Sequence, residues 1–442
     1  MCKTIPENKS NPSLAEKFAR TYAMMHPADA AEHLQDCPLD EQIQFLLRQD
    51  INEAAETIAE MEWMDQIELM SQLPPQFAAD LLARMSPDDA ADALEDLEES
   101  VRSEILLRIA PKDAADIKSL LRFDPDCAGG VMNTEILALD QNLNASQAIN
   151  LIRERVDEAE IPYYAYIVDE ARHLLGVLSL RDLIRSPSWR VLRDLLKEQN
   201  LIYASYDIDK EEAARLISRY NLFALPVTDH DKRILGVVTV DDVIDIIQEE
   251  ASEDMQSMVG AGADESTDSP WTYSLRMRLP WLLINLFNSA ISAYVVHLFE
   301  GTIAQMTILA VLMPVVANQA GNTGQQSLAV MIRQLAVERF DRKKAWLAVV
   351  REARVGLATG FVIASVVFVI LAVGLGNGKL GGVMALALGC DMLLGAVAGA
   401  SIPLILREVG RDPAQASSIF LTTLTDGAGF FTFLGFAALF LL

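Results

Sequence analysis

From Trp271 onward the chain carries five apolar runs, near residues 280–299, 303–333, 355–375, 380–406 and 414–441, each about as long as the twenty residues a helix needs to cross a bilayer. Lipid offers no partner for backbone N–H and C=O groups, so these segments are predicted to be helices. The basic residues set their direction. Arg276, Arg278, Arg333, Arg339, Arg342, Lys343, Lys344, Arg351, Arg354, Arg407 and Arg411 fall on one side of the spans, and Lys379 alone on the other. The positive-inside rule then places residues 1–270 in the cytosol and Leu442 outside, in a multi-pass protein of the cytoplasmic membrane. The leading residues, MCKTIPENKSNPSLAEKF, hold no apolar stretch of the secretory kind, which agrees with that orientation.

Charge separates the two parts. The segment from Trp271 has twelve Lys/Arg and eight Asp/Glu; of the 36 and 62 in the whole chain, 24 basic and 54 acidic residues remain for positions 1–270. An excess of that size repels nucleic acid and strains a compact fold by self-repulsion unless cations offset it. Solubility alone accounts for many of these carboxylates, so a cation-binding reading needs clustering. Cys2, Cys37, Cys127 and Cys390 are scattered without C-x-x-C spacing, which argues against a zinc site or a disulfide framework and suits a reducing cytosol.

Two repeats organise the acidic part. In residues 14–125 the motifs HPADAAEHL at His26, SPDDAADAL at Ser86 and APKDAADIK at Ala110 each place proline and aspartate where a helix begins, with Pro87 and Pro111 twenty-four residues apart. Short paired helices of this kind predict an α-superhelix. Further on, LLGVLSLRDLI at Leu174 and ILGVVTVDDVI at Ile234 repeat with Gly176/Gly236, Ser179/Thr239 and Asp182/Asp242 sixty residues apart. Each copy reads as strand, turn, strand, then a helix opened by a Ser/Thr-x-x-Asp cap. This doubled pattern resembles a tandem pair of CBS domains, which implies a regulatory, ligand-sensing module. Some such pairs bind adenine nucleotides, so Asp182 and Asp242 stand either as ATP ribose contacts or as helix caps alone.

Polar residues inside the apolar runs carry the chemistry. PVVANQAGNTGQQS from Pro314 is too polar to face lipid, and Asn318, Gly321, Asn322, Gly324 and Gln325 are the pore-lining candidates. Pro314, Gly321 and Gly324 are expected to loosen the helical ladder and free carbonyls for a hydrated cation; close helix packing through small residues is the competing reading. TTLTDGAGFFTF puts Asp426 about midway along the last span with no Lys or Arg inside the spans to neutralise it. A cation or a watered pathway is its expected partner. Asp391 in the fourth span poses the same question among more apolar neighbours and is a secondary candidate.

Taken together, PVVANQAGNTGQQS, Asp412-Pro413 opening span five, Thr423-Leu424-Thr425-Asp426 within it and Glu-Glu-Ala-Ser-Glu-Asp at 249–254 make the chain resemble the MgtE-type magnesium channels over nearly its whole length. The resemblance implies a multidomain membrane protein. Its parts are an all-α superhelical N domain (1–128), an α/β tandem CBS pair (129–187 and 188–246), a connecting plug helix with linker (247–270) and a transmembrane domain of five helices (271–442). It further implies a homodimer in membrane lipid, with paired Asp426 carboxylates and Asp412 along a pore for hydrated Mg²⁺. Cytosolic Mg²⁺ would gate it through sensor sites at Asp88, Asp89 and Asp92, at Asp209 and Glu211, and at Asp242, Asp245, Glu250, Glu253 and Asp254. Asn221 stands where the family often has an acidic residue, which leaves the number of sensor ions open.

Two other functions compete for the same sequence features. A secondary transporter would couple Mg²⁺, Co²⁺, Mn²⁺ or Ni²⁺ to Na⁺ or H⁺, and oxygen ligands suit all four ions. An intramembrane metalloprotease lacks H-E-x-x-H, and His297 is the sole histidine after His230; His26, His33, His173 and His230 fit turns and helix starts. No enzyme chemistry is expected.

Overall fold

The computed structural model describes residues 25–95, 97–155, 163–196, 201–263, 265–267, 269–337 and 341–442. Residues 14–24 of the predicted helical region, Cys2 and Arg339 lie outside these. The chain divides between Ile247 and Gln248 into two compact units.

Among the described residues, the first unit shows eight short helices before its sheets: α1 (Pro27–Gln35), α2 (Leu39–Leu46), α3 (Ile51–Ala59), α4 (Trp63–Gln72), α5 (Pro75–Leu82), α6 (Pro87–Glu95), α7 (Glu99–Leu106) and α8 (Pro111–Leu120). Proline opens α1, α5, α6 and α8, where its missing N–H costs nothing, and Asp29, Asp88, Asp89 and Asp113 complement the dipole in the first turn. Each helix packs on the one two places along, α1 on α3, α3 on α5, α4 on α6 and α6 on α8, which is the superhelix the repeats predict. The recurring Asp-Ala-Ala permits it: Ala30, Ala31, Ala90, Ala91 and Ala114 are buried and let neighbouring helices close in.

Two three-stranded sheets follow. β1 (Ala138–Asp140) pairs in parallel with β2 (Tyr164–Val168), which pairs antiparallel with β3 (Leu174–Ser179); β4 (Ala204–Ser205), β5 (Ala224–Thr228) and β6 (Ile234–Thr239) repeat the arrangement. The register repeats as well, Ala165 opposite Leu178 and Leu225 opposite Val238, both partners sixty residues apart. The repeats exchange their leading segments. Asn133 bonds both ways with Val237 of the second repeat, at 2.7 and 2.9 Å, while Ala145 and Leu192 tie residues 190–192 to the first. α9 (Ala145–Arg155), α10 (Leu180–Arg185) and α11 (Lys210–Tyr220) cover the sheets, and α12 (Val240–Val259) leaves the second repeat as one continuous helix. Gly260 ends it at φ +79°, a left-handed conformation in which glycine is unstrained.

The second unit is helical. Its elements are α13 (Trp271–Leu298), a short α14 (Glu300–Gln305), α15 (Ile308–Val337), α16 (Arg342–Gly374), α17 (Gly378–Glu408) and α18 (Ser417–Phe440); α15, α16 and α18 pack on α17, the most enclosed of the four apolar spans, and α13 packs on α18. The helices extend past the predicted runs because basic turns such as 342–354 are already helical before the apolar stretch begins. Four of the five long helices are both long and apolar enough to cross a membrane. The expected fifth span, α15, is thirty residues long but falls short on apolarity because of its central amides. It also runs unbroken through Pro314, Gly321 and Gly324, which corrects the expectation of a loosened ladder. Gly324 works instead as a packing glycine: a Cβ there would meet Leu421 at 2.8 Å and the Gly395 carbonyl at 3.0 Å.

Candidate functional site

In the first unit the sequence candidates Asp88, Asp89, Asp92 and Asp242 come together where α6 meets the start of α12. The Pro87-Asp88-Asp89 start of α6 and the Thr239-x-x-Asp242 cap of α12 are both helix openings, so both turn their carboxylates toward backbone N–H groups. Ser86 Oγ donates to Asp89 at 2.7 Å, Asn133 Nδ2 donates to Asp88 at 3.1 Å, and Thr239 Oγ1 donates to Asp242. The strongest influences on these groups are burial, hydroxyls and each other, with no lysine or arginine among them.

The consequence is a set of carboxyls held well above the ordinary range. Burial first, then the charge of Asp89, pushes Asp88 up to about 6. Burial, with the charges of Asp88 and Asp241 behind it, raises Asp242 to about 6 against the Thr239 hydrogen bond. Asp89 is raised by burial and by Asp242, Glu60 and Asp241. Asp92 is raised by the surrounding protein and then by Asp88, Asp89, Glu95 and Asp242, while its own side chain opens to solvent, which moderates the effect. Like charges kept close without a basic partner are a standing strain that a cation or protons would relieve.

Other sensor candidates have local partners or surface settings of their own. Asp209 caps α11, accepting from the Glu211 N–H at 2.8 Å, and Glu211 pairs with Arg215 at 2.8 Å. Asp245 is exposed on α12, and Glu250, Glu253 and Asp254 are half-buried along its second half. Asp182 accepts from Ser179 Oγ at 2.7 Å, the cap that Asp242 makes in the second repeat. Among the described residues, no three His, Cys, Asp or Glu side chains converge tightly enough to hold a bare metal ion.

In the second unit Asp426 sits near the middle of α18, half-buried, and Asp412 accepts from the Ala414 N–H at 2.9 Å before that helix begins. On α15, Asn318, Asn322 and Gln325 form one exposed stripe at i, i+4 and i+7, with Asn322 Nδ2 donating to Asn318 at 3.4 Å. Gly321 is half-buried toward Thr425, and Gly324 is buried. Thus the three amides share one face of α15; Gly321, one turn from Asn318 and from Gln325, is half-buried at the edge of that face, and Gly324 is turned into the helix packing.

Several residues with a part in these sites carried no sequence signal. Asn133 is fully buried and its amide is the donor to Asp88; only its place before the first repeat, which packs on the second, brings it there. Glu352, buried in α16, accepts from Ser327 Oγ of α15 at 2.9 Å and pairs with Arg351. An isolated Glu beside an Arg in a basic turn reads as solvated surface.

Comparison with known proteins agrees with this architecture. Residues 25–126 match the family model described as MgtE intracellular N domain, 128–188 and 192–249 match the CBS domain, and 313–436 match MgtE, described as a divalent cation transporter. A "Magnesium transporter MgtE" from Enterococcus faecalis is 35% identical over 325 residues, 74% of this chain and 71% of its own. The chain belongs to the MgtE family. The MgtE of Thermus thermophilus is 34% identical over 74% of this chain and 72% of its own length. A crystal structure of the cytosolic domain of the Mg²⁺ channel MgtE in complex with ATP superposes with a TM-score of 0.50 at 31% identity, covering 52% of this chain and 93% of that one. MgtE proteins are transporters of the membrane, and the all-α N domain and the CBS pair of this chain are those of the family.

Proposed function

We propose that this MgtE chain forms a homodimeric, Mg²⁺-selective channel that admits magnesium across the cytoplasmic membrane and is gated by cytosolic Mg²⁺. The observation that carries the reading is Asp426: a half-buried carboxylate in the middle of a membrane helix that packs on α15, with no Lys or Arg within the apolar stretch of its own helix. Mg²⁺ gives up its water reluctantly, so a lone carboxylate and amides suit a hydrated ion better than a stripped one. The same holds at the sensor, where no tight ligand set forms but a dense negative field does.

Gating follows from that field. Asp88, Asp89, Asp92 and Asp242 repel at neutral pH, and a shared cation favours the arrangement in which they are close. α12 begins in this cluster and, at its far end, Ser257 accepts from the Ala416 N–H at 2.8 Å, just before the helix that bears Asp426. α12 is therefore the element assigned to carry the sensor state to α18. With the family's known magnesium transport, the C-terminus outside and the N-terminus cytosolic complete the assignment, and the CBS pair is the assigned nucleotide site.

The test is Mg²⁺ uptake into proteoliposomes. Asp426→Ala is expected to abolish it. Removal of residues 1–245 is expected to leave uptake that internal Mg²⁺ no longer suppresses. Uptake equal to wild type in the first variant overturns the pore assignment, and retained suppression in the second overturns the gating. Dependence of the flux on a Na⁺ or H⁺ gradient would instead establish a coupled carrier.

A further inference from the structure

Asp391 is a carboxyl within the apolar stretch of α17 that the proposed pore leaves without a task. It lies near the middle of α17, 1% exposed, and neither carboxyl oxygen meets a protein hydrogen-bond donor. Its side chain points at α18, where the carboxylate rests directly on Gly429; any Cβ at that position would collide with it. Gly429 follows Asp426 by three residues, so the two carboxyls occupy adjacent turns of the same helix surface. Asp426 is also the charged side chain that acts on Asp391.

A carboxyl buried with both oxygens unsatisfied in an apolar setting is strongly disfavoured unless something shares it. Here the protein supplies no hydrogen-bond donor, and the missing side chain of Gly429, three residues from Asp426, makes room for the carboxylate. We infer that Asp391 and Asp426 of one protomer form a two-carboxyl site for a divalent cation, an inner step beyond the pore carboxylate. It rests on the reading of Asp426 given above. A cation that reaches Asp391 has to shed part of its water, which Mg²⁺ resists and Mn²⁺ resists less. Asp391 is thus the residue that sets how well partly dehydrated ions compete with Mg²⁺.

The experiment compares Mg²⁺ and Mn²⁺ uptake by the full-length protein in proteoliposomes for wild type, Asp391→Asn, Gly429→Ala and Asp426→Asn. Asp391→Asn keeps the shape and removes the charge; it is expected to raise the half-saturating Mn²⁺ concentration by about tenfold, with a smaller effect on Mg²⁺. Gly429→Ala changes no charge but pushes the Asp391 carboxylate aside, and is expected to shift Mn²⁺ in the same direction. Half-saturation within about twofold of wild type for both ions in both variants overturns the inference. So does a fall in maximal uptake at unchanged half-saturation, which would assign Asp391 to packing. Uptake that survives Asp426→Asn unchanged defeats the pore assignment itself, whatever Asp391 does, so the two failures are separable.

Discussion

The two units store negative charge in opposite ways. In the first, Asp88, Asp89 and Asp242 are buried or half-buried near one another, yet each has a hydroxyl or amide donor, from Asn133, Ser86 or Thr239. In the second, Asp391 is sealed with no donor at all and Asp426 stands half-buried on a neighbouring helix. Donors let a charged cluster persist in a folded state while it remains strained by like charge, which is what a reversible sensor requires. Their absence leaves a carboxyl that has to take up a proton or a cation, which is what a site on a passage requires. Both units spend stability on function, and substitutions that remove the charge separate the two cases.

The largest effect is expected from the small-residue packing that holds the second unit together. A Cβ at Gly399 would run into the Gly324 carbonyl, so Gly399→Val has to separate α15 from α17. We expect a loss of about 3 kcal/mol or more in the membrane unit and loss of uptake, read by thermal melting and flux. The Mg²⁺ response of the first unit, followed by hydrogen exchange in α6, should persist. If that response disappears as well, the carboxylate cluster depends on the packing of the second unit for its own binding and the contrast between them fails.

Next comes a substitution expected to stabilise. Because Asp88 is raised from 3.8 to about 6, its folded form prefers the proton, and the strain is absent below about pH 4 and complete above about pH 6. Stability around α6 should therefore fall as pH rises through that window, and protection by Mg²⁺ should grow through it. Asp88→Asn removes the charge and is expected to stabilise α6 at pH 7 without Mg²⁺ by on the order of 3 kcal/mol, with loss of much of the Mg²⁺ response. Hydrogen exchange at pH 5 and pH 7 checks both. Destabilisation at pH 7 would mean the carboxylate is not strained.

The part of this contrast legible in the sequence was the part written in periodicity. Apolar runs, proline-opened helices and a sixty-residue repeat are local patterns, and they gave the helices, the sheets and the acidic joint. Asp88, Asp89, Asp92 and Asp242 were reached by motif, but that Asp209 and Glu211 are occupied by a cap and by Arg215 depends on side-chain partners that no spacing announces. Asn133, Glu352 and the fit of Asp391 on Gly429 depend on segments far apart in the chain. Pro314 misled for a related reason: packing of α15 on α17 and α18 accompanies a helix that stays continuous through a proline that alone would weaken it.

Asn133 offers a smaller test of the donor argument. Asn133→Ala leaves Asp88 buried without its amide while the backbone bonds to Val237 remain, and should cost about 2 kcal/mol at pH 7. The cost should shrink when combined with Asp88→Asn, since the two act on one interaction. Additive losses in the double variant would show that Asn133 serves packing and not the cluster.

The smallest effect compares the two repeats directly. Asp182 and Asp242 hold the same place in the same motif and accept from Ser179 and Thr239 in the same way, but only Asp242 sits among other carboxylates. Asp182→Asn should therefore act as the loss of a first-turn charge, destabilising by about 0.5 kcal/mol regardless of Mg²⁺. Asp242→Asn should do the reverse without Mg²⁺, because relief of repulsion and burial outweighs the dipole term. Equal, Mg²⁺-independent effects at the two positions would reduce Asp242 to a helix cap and remove the start of α12 from the sensor.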